Sequence, residues 1–418
     1  MTPEIPVELG CPQCGAPVIL EETDRILSCG FCRVRLCLAF QGTSNYRLTT
    51  PDLPEAGLLY IPYWRYRGME FSVEGLEIRH RVSDHSRLAI KASGLPPTLG
   101  FRPQVLKLKP MTAGMGNRFL KPELTFQQVR ASTNGSISKP FNGAGDPRSQ
   151  SAFEALVGET VHLIHSPVLH TDDGFWDPIL RRPLVEVDAA ALNRLARDQS
   201  PGESIRFLPM ICPTCGWDLA GEKDTLAPVC RNCHSIWDSG GGRLSRLPFG
   251  VAPSGGKGRE DLHLPFWKIR ASVSVLQLET QGDLIRLANV PRVLDQNRIA
   301  RKLDYYVAAF KVHPQLFLRL ARSFTLGQPA RGLARELPKS PLHPVTLPLA
   351  EALETLPILV GSMAVPKKTY LPMISGLKFQ PVDSQLVFFP FELKGTELIQ
   401  NDIGMSISCN ALGMGRLI

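Results

Sequence analysis

Two sets of four cysteines constrain this chain more than any other feature. The first reads Cys11-Pro-Gln-Cys14-Gly15 and then Cys29-Gly-Phe-Cys32; the second reads Cys212-Pro-Thr-Cys215-Gly216 and then Cys230-Arg-Asn-Cys233. Fourteen residues separate the inner cysteines in both sets, and Cys212 follows Cys11 by 201 positions. A Cys-x-x-Cys turn places two sulfurs on one side of a metal ion. Glycine after the second cysteine accepts the left-handed backbone that such a turn needs. Two turns joined by a short hairpin complete a tetrahedral four-sulfur site, with residues 23–27 and 219–227 expected to contribute to the hairpins. The expected cofactors are therefore two structural zinc ions, held by Cys11, Cys14, Cys29 and Cys32 and by Cys212, Cys215, Cys230 and Cys233.

The spacing recurs outside the cysteines. About thirty residues after each set comes an apolar segment, Tyr60-Ile61-Pro62-Tyr63-Trp64-Arg65 and His263-Leu264-Pro265-Phe266-Trp267-Lys268. Pro62 and Pro265 differ by 203, so register is kept to within two residues. Metal turns and strand recurring together mean an internal duplication. Two weaker echoes follow, Lys109-Pro110-Met111 with Leu371-Pro372-Met373 and His165-Ser166-Pro167 with Phe388-Phe389-Pro390. Proline cannot donate to a strand ladder, so Pro62 and Pro265 suggest edge strands or strand starts. Trp64 and Trp267 read as core anchors.

The ribbon spacing resembles the rubredoxin-like zinc ribbons of transcription factor IIB and of many bacterial zinc-ribbon proteins. An aliphatic-Pro-aromatic-Trp strand after the ribbon is similar to one found in bacterial zinc-ribbon proteins of uncharacterised role. The resemblance covers about 30 residues per copy and that strand, and it implies structural metal without an activity. Rubredoxin has a longer, aromatic-rich segment between its knuckles, which points away from electron transfer here.

The fold class that follows is mainly β (α+β), in two tandem halves. Each half is a four-cysteine zinc ribbon followed by a β-rich module, and the second half carries helical insertions. Expected boundaries are ribbon 1 at 1–40, module 1 at 51–188, helix and linker at 189–206, ribbon 2 at 207–238 and module 2 at 259–418. Helices are expected near 297–322, where Ile299, Leu303, Tyr306, Val307 and Phe310 recur at helical intervals, near 348–356, and at 189–197 after Asp188. Gly/Ser-rich loops are expected near 132–150 and 239–258. The two halves are expected to pack on each other.

Residues 1–6 show neither a basic nor an apolar signal region, and the apolar window 349–365 is broken by Glu351, Glu354 and Pro357. No transmembrane segment and a cytoplasmic location are expected, where paired cysteines mean metal sites rather than disulfides. Cys230-x-x-Cys233-His234 matches a haem-attachment signature, but attachment requires export, and His234 reads as a surface residue beside the metal. The phosphate-loop-like 250–258 has Gly258 where Ser or Thr would hold magnesium. His162, His165, His170, Asp172 and Asp173 could form a second metal site. Three-residue spacing on a strand points His162 and His165 to opposite faces, so histidines in a polar turn are the expectation. Cys37 and Cys409 lie outside both quartets and read as buried structural thiols.

With no catalytic constellation in the sequence, the chain reads as a non-catalytic zinc-binding scaffold or adaptor, joining one or more protein partners in a larger assembly. The alternative is a nucleic-acid-binding zinc-ribbon protein. The net charge is +8, and two stretches more than account for it: 91–140, with eight Lys/Arg against Glu123, and 296–340, with nine against Asp304 and Glu336.

Overall fold

In the first half, β1 (Pro6–Gly10) pairs antiparallel with β2 (Pro17–Glu21) around the first cysteine turn, and β3 (Ile26–Ser28) with β4 (Arg35–Phe40) around the second. The computed structural model describes residues 5–40, 42–50, 58–100, 107–111, 118–137, 153–172, 174–197, 205–253, 262–291, 296–329 and 332–415. β5 (Ser44–Leu48) leads to the long strand β6 (Leu58–Glu74), which turns back as β7 (Glu77–Leu88). Short strands β8 (Leu108–Pro110) and β9 (Arg118–Leu120) and helix α1 (Phe126–Ile137) precede the long return strand β10 (Phe153–Thr171). β11 (Gly174–Asp177), β12 (Arg182–Leu184), α2 (Ala189–Leu195) and β13 (Ala196–Arg197) follow. A mixed sheet runs β13-β9-β6-β10-β5-β8-β1-β2, so the first ribbon's outer strands extend the sheet of the module. The expected cap of α2 is present, with Ala191 N donating to Asp188 at 2.9 Å.

The second half opens with β14 (Ile205–Pro209), β15 (Val229–Cys230), β16 (Ser235–Asp238), β17 (Ser245–Leu247) and β18 (Phe249–Val251). β19 (Leu262–Val273), α3 (Gln281–Ala288), α4 (Gln296–Ile299), β20 (Tyr305–Ala308) and α5 (Pro314–Gly327) come next. Helices α6 (Leu349–Glu354), α7 (Leu356–Met363) and α8 (Lys367–Tyr370) precede the long strand β21 (Phe379–Lys394), then β22 (Glu397–Gln400), β23 (Met405–Ser408) and α9 (Cys409–Gly415). The chain is mainly β, with two four-cysteine clusters and its helices concentrated in the second half.

The duplication extends to individual hydrogen bonds. β6 pairs antiparallel with β10 in a register that sets Pro62 opposite His165; β19 pairs antiparallel with β21 and sets Pro265 opposite Phe388. The echo of His165-Ser166-Pro167 in Phe388-Phe389-Pro390 is therefore the same strand in the same register. In each half a short strand runs parallel to the return strand, β5 beside β10 and β18 beside β21. Ala89 N donates to the Pro62 carbonyl at 3.0 Å, and Ala309 N to the Pro265 carbonyl at 3.0 Å. The carbonyls of Ala89 and Ala309 accept in turn from Glu123 and Leu124 and from Thr346 and Leu347.

Other expectations are corrected. The Lys109-Pro110-Met111 echo fails, because Lys109 and Pro110 lie in β8 whereas Leu371–Gly376 is a 3-10 helix. Residues 305–308 of the expected helix at 297–322 form the fully buried strand β20, paired with β19. Helix is present only at the two ends of the expected span, in the short α4 and again from Pro314 in α5. A strand buried on both faces loses its alternation, and its apolar run then mimics helical spacing.

Pro62 and Pro265 lie in strands with neighbours on both sides, not in edge strands. The tolerance is local. In a strand, a residue's N–H and carbonyl face the same side, and each proline carbonyl faces the chain just beyond the end of β7 or β20. No ladder donor is required at that point. Of the expected loops, residues 138–150, 198–204 and 254–258 lie outside the described residues, but 132–137 belong to α1. The expected flexible stretch 239–253 instead forms a 3-10 turn at Gly240–Gly242 and the strands β17 and β18.

The halves share their interior. β14, which leads into the second ribbon, pairs antiparallel with β4 of the first ribbon, from Ile205 opposite Phe40 to Pro209 opposite Leu36. Ile26 and Cys37 then pack in one buried cluster with Met210, Cys212, Leu219, Cys230 and Trp237. The far ends of β6 and β10 contribute Met69, Phe71, Val73, Ala155 and Val157 to the core of the second half. A bulge in β10 follows Val157, and Gly158 adopts φ +67° there, which a side chain would resist. Its N–H is directed onto the Glu351 carboxylate of the other half.

Candidate metal centres

Each quartet converges. The four sulfurs of Cys11, Cys14, Cys29 and Cys32 lie within 4.8 Å of one another, and those of Cys212, Cys215, Cys230 and Cys233 do likewise. Closest separations are 3.7 Å for Cys11 with Cys32, 3.6 Å for Cys14 with Cys29, 3.6 Å for Cys212 with Cys233 and 3.5 Å for Cys215 with Cys230. A disulfide needs about 2.05 Å, so these are not bonded pairs. A tetrahedron with arms of about 2.3 Å, the zinc–thiolate length, has edges of about 3.8 Å. The donor set and its spacing thus fit a four-coordinate thiophilic ion. They would hold it with no open position for water or substrate.

Backbone geometry prepares the sulfurs. Gly15 and Gly216 take φ +74° and +71°, as the residue after the second cysteine should. Arg33 and His234, after each fourth cysteine, are also left-handed, without being glycine. The N–H groups of Cys32 and Phe31 point at the Cys29 sulfur and draw its pKa down to about 6. Burial works against ionisation of Cys212, but the N–H groups of Cys215 and Thr214 bring it down to about 6. These donors favour the thiolate at Cys29 and Cys212. Cys32, despite the Val34 N–H, and Cys230 are pushed up to about 12 by burial and by the neighbouring sulfurs. Each cluster thus favours ionisation at some sulfurs and opposes it at others.

The second centre has supports that the motif alone does not reveal. Ser235 Oγ lies 3.1 Å from Cys233 Sγ and 3.7 Å from Cys212 Sγ, and accepts from the Trp237 indole N–H at 2.9 Å. With its lone pair engaged by Trp237, the hydroxyl proton is free to face the sulfurs. The corresponding positions of the first ribbon are Val34 and Leu36, which have no such chemistry. His234 is not merely a surface residue beside the metal: its Nδ1 accepts from Leu337 N at 3.0 Å, and Arg231 donates to the Pro338 carbonyl at 2.8 Å. The second ribbon is thereby tied to a strap of its own module.

The histidine-rich stretch lies in β10, not in a polar turn. His162 and His165 are fully buried on opposite faces of that strand, His162 edge-on to Tyr46 and His165 edge-on to Phe119. Burial, and then nearby Arg25, Arg65 and Lys311, hold the His162 pKa well below the ordinary value; burial lowers His165 to about 4. The His170 ring lies tilted against Phe175, centroids 4.8 Å apart, and Asp173 lies outside the described residues. Among the described residues, only the two cysteine quartets gather three or more potential ligands. Cys37 is buried, its thiol 2.9 Å from the Met210 sulfur and raised to about 11 by burial, whereas Cys409 is half-buried at the start of α9.

No protein-family model matches the chain, and no curated protein or solved structure matches it. Among the described residues, no helix is long and apolar enough to cross a membrane.

Proposed function

We propose that this chain is a non-catalytic zinc-binding scaffold whose ribbons dock partner proteins. The observation that carries the reading is the placing of large aromatics on knuckles braced by the sulfur clusters. Phe31, between Cys29 and Cys32, is 77% exposed, and Trp217, just after Cys215-Gly216, is 61% exposed. A rigid, solvent-facing aromatic anchors protein interfaces well, because little side-chain entropy is lost on binding. The two knuckles present different anchors, so the duplication offers two non-identical surfaces. A closed four-thiolate site supports an architectural role for the metal rather than catalysis.

The test is affinity purification of the tagged full chain from its native host, with Phe31→Ser and Trp217→Ser run in parallel. Partners captured by the natural chain should be lost with one variant or the other while zinc content stays at two per chain. Identical partner sets in all three samples would remove the knuckles from the binding surface. Tight binding to DNA or RNA near roughly 150 mM salt, with a steep salt slope, would favour the nucleic-acid reading instead.

A further inference from the structure

Two stretches of the second half, 305–335 and 355–382, contain no Asp or Glu. They supply α5 and α8, which carry Arg319, Arg322, Lys367 and Lys368. We infer that these four cations form a docking surface for an acidic segment of a partner protein. The inference rests on the scaffold reading and adds to it a surface on the helices rather than on a ribbon.

Arg319 and Arg322 are three residues apart on α5, so they are neighbours on its exposed face. α8 begins close to the end of α7, and Lys367 donates to the α7 carbonyls of Gly361 and Ser362 at 2.7 and 2.8 Å. α5 packs on α7, which brings Arg322 near Lys367; burial and then the Arg322 charge lower the Lys367 pKa. No carboxylate answers this charge. Among the described residues, none of the four cations forms an ion pair. Arg319 donates to the Ser406 carbonyl at 3.1 Å, and the partners of Lys367 are likewise neutral carbonyls. Arg322 and Lys368 are exposed and make no hydrogen bond to the described residues. Like charges gathered in this way repel, and bound carboxylates would relieve the repulsion.

The surroundings favour a peptide over nucleic acid. Val365, 43% exposed, and the exposed Pro366 immediately precede Lys367. Such an apolar contact suits a peptide side chain and offers nothing to a phosphate backbone. A nucleic-acid interface that holds at physiological salt draws on many phosphate contacts, of which four cations supply few. Tyr370, the aromatic of α8, is half-buried rather than offered to a base. The planar forks of Arg319 and Arg322 match carboxylates, two donors to two oxygens.

The experiment uses the zinc-loaded full chain and three dye-labelled probes. They are a Glu-rich peptide with Leu at every fourth position, the same peptide with Ser for Leu, and a single-stranded RNA of similar charge. Fluorescence anisotropy near roughly 150 mM salt should show saturable binding of the Glu/Leu peptide and at least about tenfold weaker binding of the RNA. Arg322→Glu combined with Lys368→Glu should weaken the Glu/Leu peptide by at least about tenfold. Both residues are exposed and outside any ion pair, so zinc content and helical circular dichroism should stay unchanged. Val365→Ser should weaken the Glu/Leu peptide but not the Glu/Ser one. Phe31→Ser and Trp217→Ser should bind the peptide as the natural chain does, which separates failure here from failure of the knuckle reading. The inference is overturned if no peptide saturates, if the double variant or Val365→Ser binds the Glu/Leu peptide unchanged, if a knuckle variant abolishes binding, or if RNA binds as tightly as the peptide.

Discussion

Trp64 and Trp267 occupy the same place in the two halves, each donating its indole N–H at 2.8 Å to a backbone carbonyl just ahead of a helix. The acceptors are Leu124, before α1, and Leu347, before α6. Each tryptophan thus fixes the entry of a helix onto the strand that carries it. Trp267→Phe would keep most of the apolar contact but leave the Leu347 carbonyl buried without its donor. The expected loss is about 1–3 kcal/mol, seen as faster amide exchange in β19 and α6. Trp64→Phe should do the same to β6 and α1. If either substitution leaves exchange unchanged, the bond to the carbonyl is not what positions the helix.

Buried histidines predict an acid-sensitive fold. In the folded chain His165 has a pKa of about 4 and His162 lies well below its ordinary value, whereas both take up protons near pH 6.5 when unfolded. Between these limits the unfolded state binds more protons, so stability is full above about pH 6.5 and falls as pH drops. Each histidine contributes a slope of up to about 1.4 kcal/mol per pH unit. Denaturant midpoints measured from pH 6.5 down to 5.5, with zinc content monitored, should fall. In His165→Leu the fall should be shallower. An unchanged slope in that variant would assign the acid sensitivity to other groups.

His234 separates a strut from a metal ligand. The four sulfurs complete the second centre without it, and its ring accepts from Leu337 N instead. His234→Ala should therefore leave two zinc ions per chain while raising amide exchange at Leu337 and in the strap around it. The expected loss is about 1 kcal/mol, the worth of one hydrogen bond. Loss of one zinc equivalent would show that the imidazole reaches the ion.

What the sequence revealed depended on how local the determining chemistry was. The cysteine quartets were legible because each pair of ligands is set by a four-residue turn. The Pro-x-Trp strands were legible because both copies kept their distance from the metal turns. Tyr305–Ala308 was misread because a central strand buried on both faces has no polar alternation to mark it. The pairing of β4 with β14 joins Leu36 to Pro209 across the whole first half, and no local signal specifies it. His162 looked polar and exposed in sequence. Its burial beside Glu22, Arg65 and Tyr46 is a property of three strands and a turn that meet only in the folded chain.

The two centres are expected to differ in affinity despite identical ligands, and Ser235 is the reason. Its hydroxyl sits 3.1 Å from Cys233 Sγ and is oriented by the Trp237 indole, so it can donate to a metal-bound thiolate and disperse its charge. The first ribbon has Val34 in that place. Outer supports of this kind are worth about 10–100-fold in metal affinity. Chelator competition on the natural chain should release one zinc more readily than the other. Ser235→Ala should weaken the tighter site by about tenfold and leave the weaker one where it was. Cys215→Ser identifies which signal belongs to the second ribbon, because it should abolish the tighter site alone. Two indistinguishable sites in the natural chain, or a Ser235→Ala curve that overlays it, would mean that the hydroxyl serves packing around Trp237 rather than the metal.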